Sequence, residues 1–262
     1  MKEFLRLLKM DLTRAFVSKS FLLAVAFTIC VFAYGTVGMV QPNASVVEAF
    51  KNTYLFNNID KMFFLVATVA YSASFCVDWQ SKYYYSVISR GSICKYGVSK
   101  YMATLLAGGI SLMVGMLIFF LILSIKQPVF LPSPEMIEVE MSGDAFADVL
   151  MTGNIGAFIL LYCFQFFIMG GFAATLGLCI SVYMPNKYIA YIMPFIVAFV
   201  LNQTVNILDI PNRWDVFRLS TGTVRALSTT DQILHTVCIF SVLFVGMGVI
   251  FVRKLKWRIG ND

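Results

Sequence analysis

Residues 102–125 read MATLLAGGISLMVGMLIFFLILSI, a run with no charged residue. At about 1.5 Å of rise per residue it spans about 36 Å as a helix, more than the roughly 30 Å of a bilayer's hydrocarbon core. Lipid offers no hydrogen-bond partner to a backbone amide, so a segment of this kind pairs its amides internally as a helix. The rest of the chain has the same character. Of 262 residues, 59% are hydrophobic and 13% charged, and the mean hydropathy is +0.80. Soluble domains are nearer 45–50% and about 25%.

Working outward, five more runs are long and apolar enough to cross. The expected spans are 20–40, 61–77, 102–125, 154–182, 188–208 and 232–252. The fold class is therefore an all-α integral membrane protein with six transmembrane helices. Span 1 follows a basic stretch that is long for a signal-peptide leader, with no small-residue cleavage site after it, and reads as a retained helix. Residues 1–19, MKEFLRLLKMDLTRAFVSK, are different. Phe4, Leu5, Leu8, Leu12, Ala15 and Phe16 share one helical face, with Lys2, Arg6, Lys9 and Thr13 opposite. That pattern predicts an amphipathic helix lying in the membrane interface.

Charge sets the expected orientation. Fourteen of the 20 basic residues flank the spans on the side of the N-terminus, 78–100 and the tail 253–262; six lie on the other. The positive-inside rule makes the first side, and both termini, cytoplasmic. Ten of the 14 acids fall outside, including Glu135, Glu138 and Glu140 in the loop 126–153. The basic balance thus reflects topology and gives no reason to invoke nucleic acid.

Several chemistries are excluded by inventory. A single histidine, His235, rules out a two-histidine metal site, and no metal or catalytic residues are expected. No acid lies mid-span, which disfavours an ion-coupled carrier. There is no Gly-Lys pair and hence no phosphate-binding P-loop, so the chain itself is not an ATPase. Six cysteines lack a C-x-x-C pair and none falls in an expected external loop; they read as small buried hydrophobes.

The segment just before residue 102 is the informative one. Residues 78–100, DWQSKYYYSVISRGSICKYGVSK, form a basic loop too long for a minimal helix–helix turn. Tyr83, Val87 and Ile88, then Ile93 and Tyr96, are helically spaced on either side of Arg90-Gly91-Ser92. This predicts a short helix along the inner face, a break, and the climb into span 3. In span 5, Pro194 removes a backbone donor, and Asn202, Gln203 and Asn206 cluster toward the outer end. Such polar groups either join helices or line a path.

The layout resembles the membrane subunit of a type-2 ABC transporter, an exporter-class permease. The resemblance rests on the basic amphipathic N-terminal helix, six spans with both ends inside, and an acid, Asp78, opening the loop after span 2. Val87-Ile88-Ser89-Arg90 stands where that family often has a hydrophobic pair and Ser-Arg, and Lys100 at the foot of span 3. Lys82-Tyr83 replaces the family's Gly-Thr. The resemblance implies that 78–101 is a coupling loop on a cytoplasmic ATPase, engaging through Asp78, Lys82, Tyr83, Tyr84, Val87, Ile88, Arg90, Gly91 and Lys95. It further implies a pathway near spans 2 and 5, with Thr68, Tyr71 and Ser72 joining Asn202, Gln203 and Asn206. Two ATPase subunits holding ATP and Mg, and a second permease chain, would complete an exporter in a bacterial plasma membrane. An apolar or amphipathic substrate fits the spans: a peptide antibiotic, a lipidic compound or a drug. A stand-alone immunity or scaffold protein in the membrane is the alternative reading.

The charge asymmetry makes a direct prediction. With native cysteines removed, a cysteine at Ser142 reacts with an impermeant reagent added to intact cells and one at Ser92 does not. The reverse pattern overturns the orientation.

Overall fold

The structure, a computed structural model, describes residues 2–37, 45–47, 49–50, 59–89, 92–125, 127–129, 146–208, 211, 214–222 and 228–260, with the side chains of Lys2 and Asn206 outside that description. Among them there are helices and no strands. In chain order they are α1 (Lys2–Phe16), α2 (Lys19–Thr36), α3 (Asp60–Tyr71), α4 (Ser74–Gln80), α5 (Tyr83–Ile88), α6 (Ile93–Ser124), α7 (Ala147–Met151), α8 (Ile155–Tyr183), α9 (Lys187–Leu208), α10 (Val216–Thr221) and α11 (Thr229–Gly260). Six are long and apolar enough to cross a membrane: α2, α3 with α4, α6, α8, α9 and α11. All six expected spans are there, within a few residues at most ends.

The centre of the bundle is the pair α6 and α8. Small residues bring the two backbones together: a Cβ on Gly108 would sit 2.6 Å from the Gly170 carbonyl oxygen, and one on Gly109 2.7 Å from that of Phe167. Close backbone approach is the main source of helix adhesion in lipid, where burying leucine gains little. The same device joins α2 to α6, with Gly115 against Thr28, and α8 to α9, with Gly177 against the Ala190 carbonyl. Burial ranks the helices. In its most apolar window α3–α4 is 72% buried, α9 is 22% and α11 only 11%. The last two therefore present most of their surface to lipid.

Two interiors fill the bundle. One is aromatic: Phe32 on α2 is fully buried among Phe63, Phe119, Phe166 and Phe50, with ring centroids 4.7–5.5 Å away. It lies at the end where Val46 N–H donates to the Pro128 carbonyl (2.9 Å) and Thr229 N–H to Asp148 (3.4 Å). At that end Asp215 caps α10, accepting from the N–H groups of Phe217 and Arg218. The other interior, at the opposite end, is ionic.

Three expectations change. Span 2 is not one helix: it breaks at Ser72-Ala73, where the Ser72 hydroxyl donates across to the Ala174 carbonyl (3.0 Å). Helix α6 begins at Ile93, well before the apolar run, and its 32 residues span about 48 Å. The segment 93–101 is thus a rigid extension of span 3. Cys30 and Cys238 are exposed on α2 and α11, while Cys76, Cys163 and Cys179 are buried as expected; all six are free.

The α6–α8 seam has no room for a side chain. Gly108→Val places methyl groups into the Gly170 carbonyl and Ala174. A loss of at least about 1–3 kcal/mol, the usual overpacking range, is expected as a lowered thermal midpoint in detergent. Gly246→Val, facing open space on α11, leaves the midpoint unchanged.

Candidate functional site

Four charges meet where α1, α4 and α6 converge. Lys100 on α6 is fully buried. Its Nζ lies 2.5 Å from Oδ2 of Asp78 and 3.3 Å from Oδ1 of Asp11. Asp78, also wholly buried, accepts from Arg14 (2.9 Å) and from the Tyr96 hydroxyl (2.8 Å). Asp11 accepts from Ser99 (2.6 Å) through Oδ2, and its Oδ1 meets Lys100 by charge without hydrogen-bond geometry. Two carboxylates and two cations leave the cluster neutral. Burial works against the Arg14 charge, but the Asp78 carboxylate beside it prevails and holds the guanidinium's pKa above its ordinary value.

Helical spacing explains the convergence. Leu7, Asp11 and Ala15 recur every four residues of α1, and Asp11 and Ala15 are buried. The line of α1 that meets the bundle thus runs through Asp11, along one edge of the apolar face, with which it shares Ala15. Leu5, farther round that face, is 56% exposed. Leu7, Leu8 and Leu12 are half-buried, so the helix docks by charge at Asp11 and by part of its apolar side. On α6, Tyr96, Ser99 and Lys100 share one face, one turn after the helix starts. Asp78 closes α4, one turn beyond Ser74.

The short helix predicted within 78–100 exists as α5. Lys82, at φ 54°, turns the chain between α4 and α5 in the left-handed conformation, which a glycine adopts at no cost. Tyr84 and Val87 are buried. Tyr84 stacks on Trp79 with centroids 4.8 Å apart and planes 5° from parallel, and Tyr85 stacks on Tyr84 at 4.3 Å. The Tyr83 hydroxyl donates to Met10 Sδ on α1 (3.3 Å), and the Arg14 guanidinium lies 4.8 Å above its ring. From α11, Arg258 covers Trp79 at 4.6 Å and donates to the Val182 and Tyr183 carbonyls ending α8. Both terminal helices are thereby tied to one end of the bundle, around α5.

The expected coupling residues divide by exposure. Lys82 is exposed, Tyr83 and Ile88 half-buried, and Asp78, Tyr84 and Val87 buried; Tyr85, which was not in the expected set, is exposed. Asp78 is taken up within the chain, so it does not face outward as a surface acid. Lys95 pairs with Glu3 on α1 (2.6 Å), and that hydrogen bond and charge hold the Glu3 carboxyl below its ordinary pKa. Arg90 and Gly91 lie outside the described residues.

The expected pathway residues do not form one site. Thr68 donates to the Leu65 carbonyl and across to that of Tyr191 on α9, and Ser72 bonds to α8. Asn202 lies 11 residues beyond Tyr191, about 16 Å along α9. Asn202 is half-buried and Gln203 exposed; the Asn206 side chain lies outside the described residues. Tyr71 joins the ionic end instead, with Lys100 Nζ 5.4 Å from its ring. Polar groups the sequence reading passed over lie inside the bundle. Gln165 donates to the Leu219 carbonyl, and Gln232 and Thr236 are buried without a partner among the described residues. Their four-residue spacing on α11 was the available signal. Among the described residues no group of acids, cysteines and histidine is arranged to hold a metal.

Removing one member of a buried ion cluster leaves its partners uncompensated, at a cost of about 3–5 kcal/mol. Lys100→Met is expected to destabilise the protein by that order in detergent unfolding, and Asp78→Asn introduced with it to recover part of the loss. Lys95→Met, on the exposed pair, leaves the midpoint unmoved. Comparison with known proteins finds no matching family model, no similar curated protein and no similar solved structure.

Proposed function

We propose that the chain is the membrane-spanning subunit of an ATP-driven ABC exporter. Residues 78–100 dock on a cytoplasmic ATPase, and the cargo is apolar or amphipathic. The observation that carries the reading is α5. It is a short helix between two spans, held from behind by Tyr84 and Val87, that leaves Lys82, Tyr85, Ser86 and Ser89 exposed. A helix so mounted passes a push to α6 through the ionic cluster and to α4 through Trp79. The gathering of α1, α5 and the end of α11 at one pole, with most of the basic residues there, favours that pole as the cytoplasmic one. In this reading ATP and Mg are held by a partner chain, since no P-loop occurs in the sequence.

In this arrangement the residues take two roles. Asp78, Tyr84 and Val87 hold α5 in place, while Lys82, Tyr85 and Ser86 meet the partner. Exposed aromatic side chains are the strongest candidates for interface anchors.

The test is whether an ATPase travels with the chain. From native membranes the tagged protein brings down a subunit with Walker motifs and measurable ATP hydrolysis. Tyr85→Glu with Ser86→Arg cuts that hydrolysis at least about tenfold, equivalent to about 1.4 kcal/mol of binding, with the thermal midpoint unchanged. Tyr84→Ala lowers the midpoint first. Wild-type protein that carries no nucleotide-hydrolysing subunit overturns the reading in favour of a stand-alone membrane protein.

A further inference from the structure

A groove of about 160 Å³ opens beside the ionic cluster, between the α1–α2 junction, the broken span 2 and α9. Its polar floor holds Arg14, Ser20, Tyr71 and Ser74. Ser74 is 9% exposed, and its hydroxyl has no hydrogen-bond partner among the described residues; neither has the buried Tyr71 hydroxyl. Burying an unpaired hydroxyl costs about 1–3 kcal/mol, so two at one place mark a site built for a missing partner. Tyr71, Ser74 and Asp78 follow one another on the same side of the α3–α4 segment. Arg14 contacts Asp78 through one terminal nitrogen, and its other nitrogens donate to nothing among the described residues.

The α2 N-terminus adds to this. The Ser18 side chain accepts from the Phe21 N–H, which leaves the Lys19 and Ser20 N–H groups free among the described residues, at the positive end of an 18-residue helix. The free groups at the groove are donors of hydrogen bonds, and the Asp78 oxygens are already occupied. An oxyanion with several acceptor lone pairs satisfies that set; a cation does not.

We propose that this groove binds the phosphodiester of an anionic phospholipid. Its other wall is apolar, formed by Val69, Ala73, Val77 and Tyr191. Next to the groove residues in sequence, Leu22, Leu23 and Ile192 are exposed on α2 and α9. A free phosphate would leave this wall uncovered, whereas acyl chains extend along it. The site also lies beside α1, the helix that parallels the membrane interface in the sequence reading. The lipid reading does not depend on the transporter reading and stands whether or not an ATPase is present.

The full-length chain in a non-phospholipid detergent provides the test. Dihexanoyl-phosphatidylglycerol is expected to raise its thermal midpoint, and inorganic phosphate at the same concentration is not. Native mass spectrometry of protein incubated with phosphatidylglycerol is expected to retain one such lipid. Ser74→Leu, which fills the groove, abolishes both signals. Ser74→Ala removes a hydroxyl with no partner among the described residues; it does not lower the unliganded midpoint, and it weakens lipid binding several-fold. Equal retention by wild type and both variants overturns the proposal. Stabilisation by inorganic phosphate equal to that by the lipid overturns the phospholipid assignment.

Discussion

A lysine ammonium with no access to water sets the terms for one whole end of this protein. Lys100 cannot keep its charge inside the bundle without carboxylates at contact distance, and two chain segments far apart in sequence supply them. Asp11 arrives only if α1 folds back onto α6. Asp78 arrives only if α4 ends at the same depth. Arg14 then balances the second carboxylate and stays partly exposed at the edge. From this one neutralisation follow the placement of the N-terminal helix, the end of span 2 and the seat of α5.

Away from that end, different forces hold the bundle. The central helices approach through glycine and alanine, and phenylalanine fills the far interior around Phe32. Neither device is directional, so neither fixes which way a helix end points. The ionic cluster and the stacked Trp79, Tyr84 and Arg258 supply direction at the pole where α5 lies. The protein thus combines an adhesive middle with an oriented end. Of the two outermost helices, α9 meets α8 through the former, at Gly177 and Ala190, whereas α11 is tied at the oriented end through Arg258.

Sequence made the spans legible because bilayer thickness and backbone pairing in lipid leave one solution for a 24-residue uncharged run. The small residues of spans 3 and 4 were also readable as contact points. The ionic cluster was not. A lysine at the foot of a span reads equally as a topology signal, and nothing in the 1D pattern separates Lys100 from Lys95, one buried and one exposed. Asp11 lies between the apolar and basic faces of α1, where an acid looks like ordinary surface. Its value depends on Lys100, 89 residues later. The break in span 2 was invisible for a related reason, since Ser72 is compatible with an unbroken helix until the Ala174 carbonyl is opposite it. Asn202 and Thr68 lie at different depths, which shared polarity does not reveal in the sequence.

Helix α6 runs unbroken from the ionic cluster across the bundle to Ser124. A stiff rod anchored near one end is a lever. From Lys100 to Ser124 the helix is about 36 Å long, so a tilt of about 5° at Lys100 displaces the opposite end by about 3 Å. The residues there, Phe119 and Phe120, belong to the aromatic interior. The two interiors are thus joined by one rigid helix, and Met247 packs against both. A tilt set at the charged pole is carried, through a single helix, to the packed rings at the other end of the bundle.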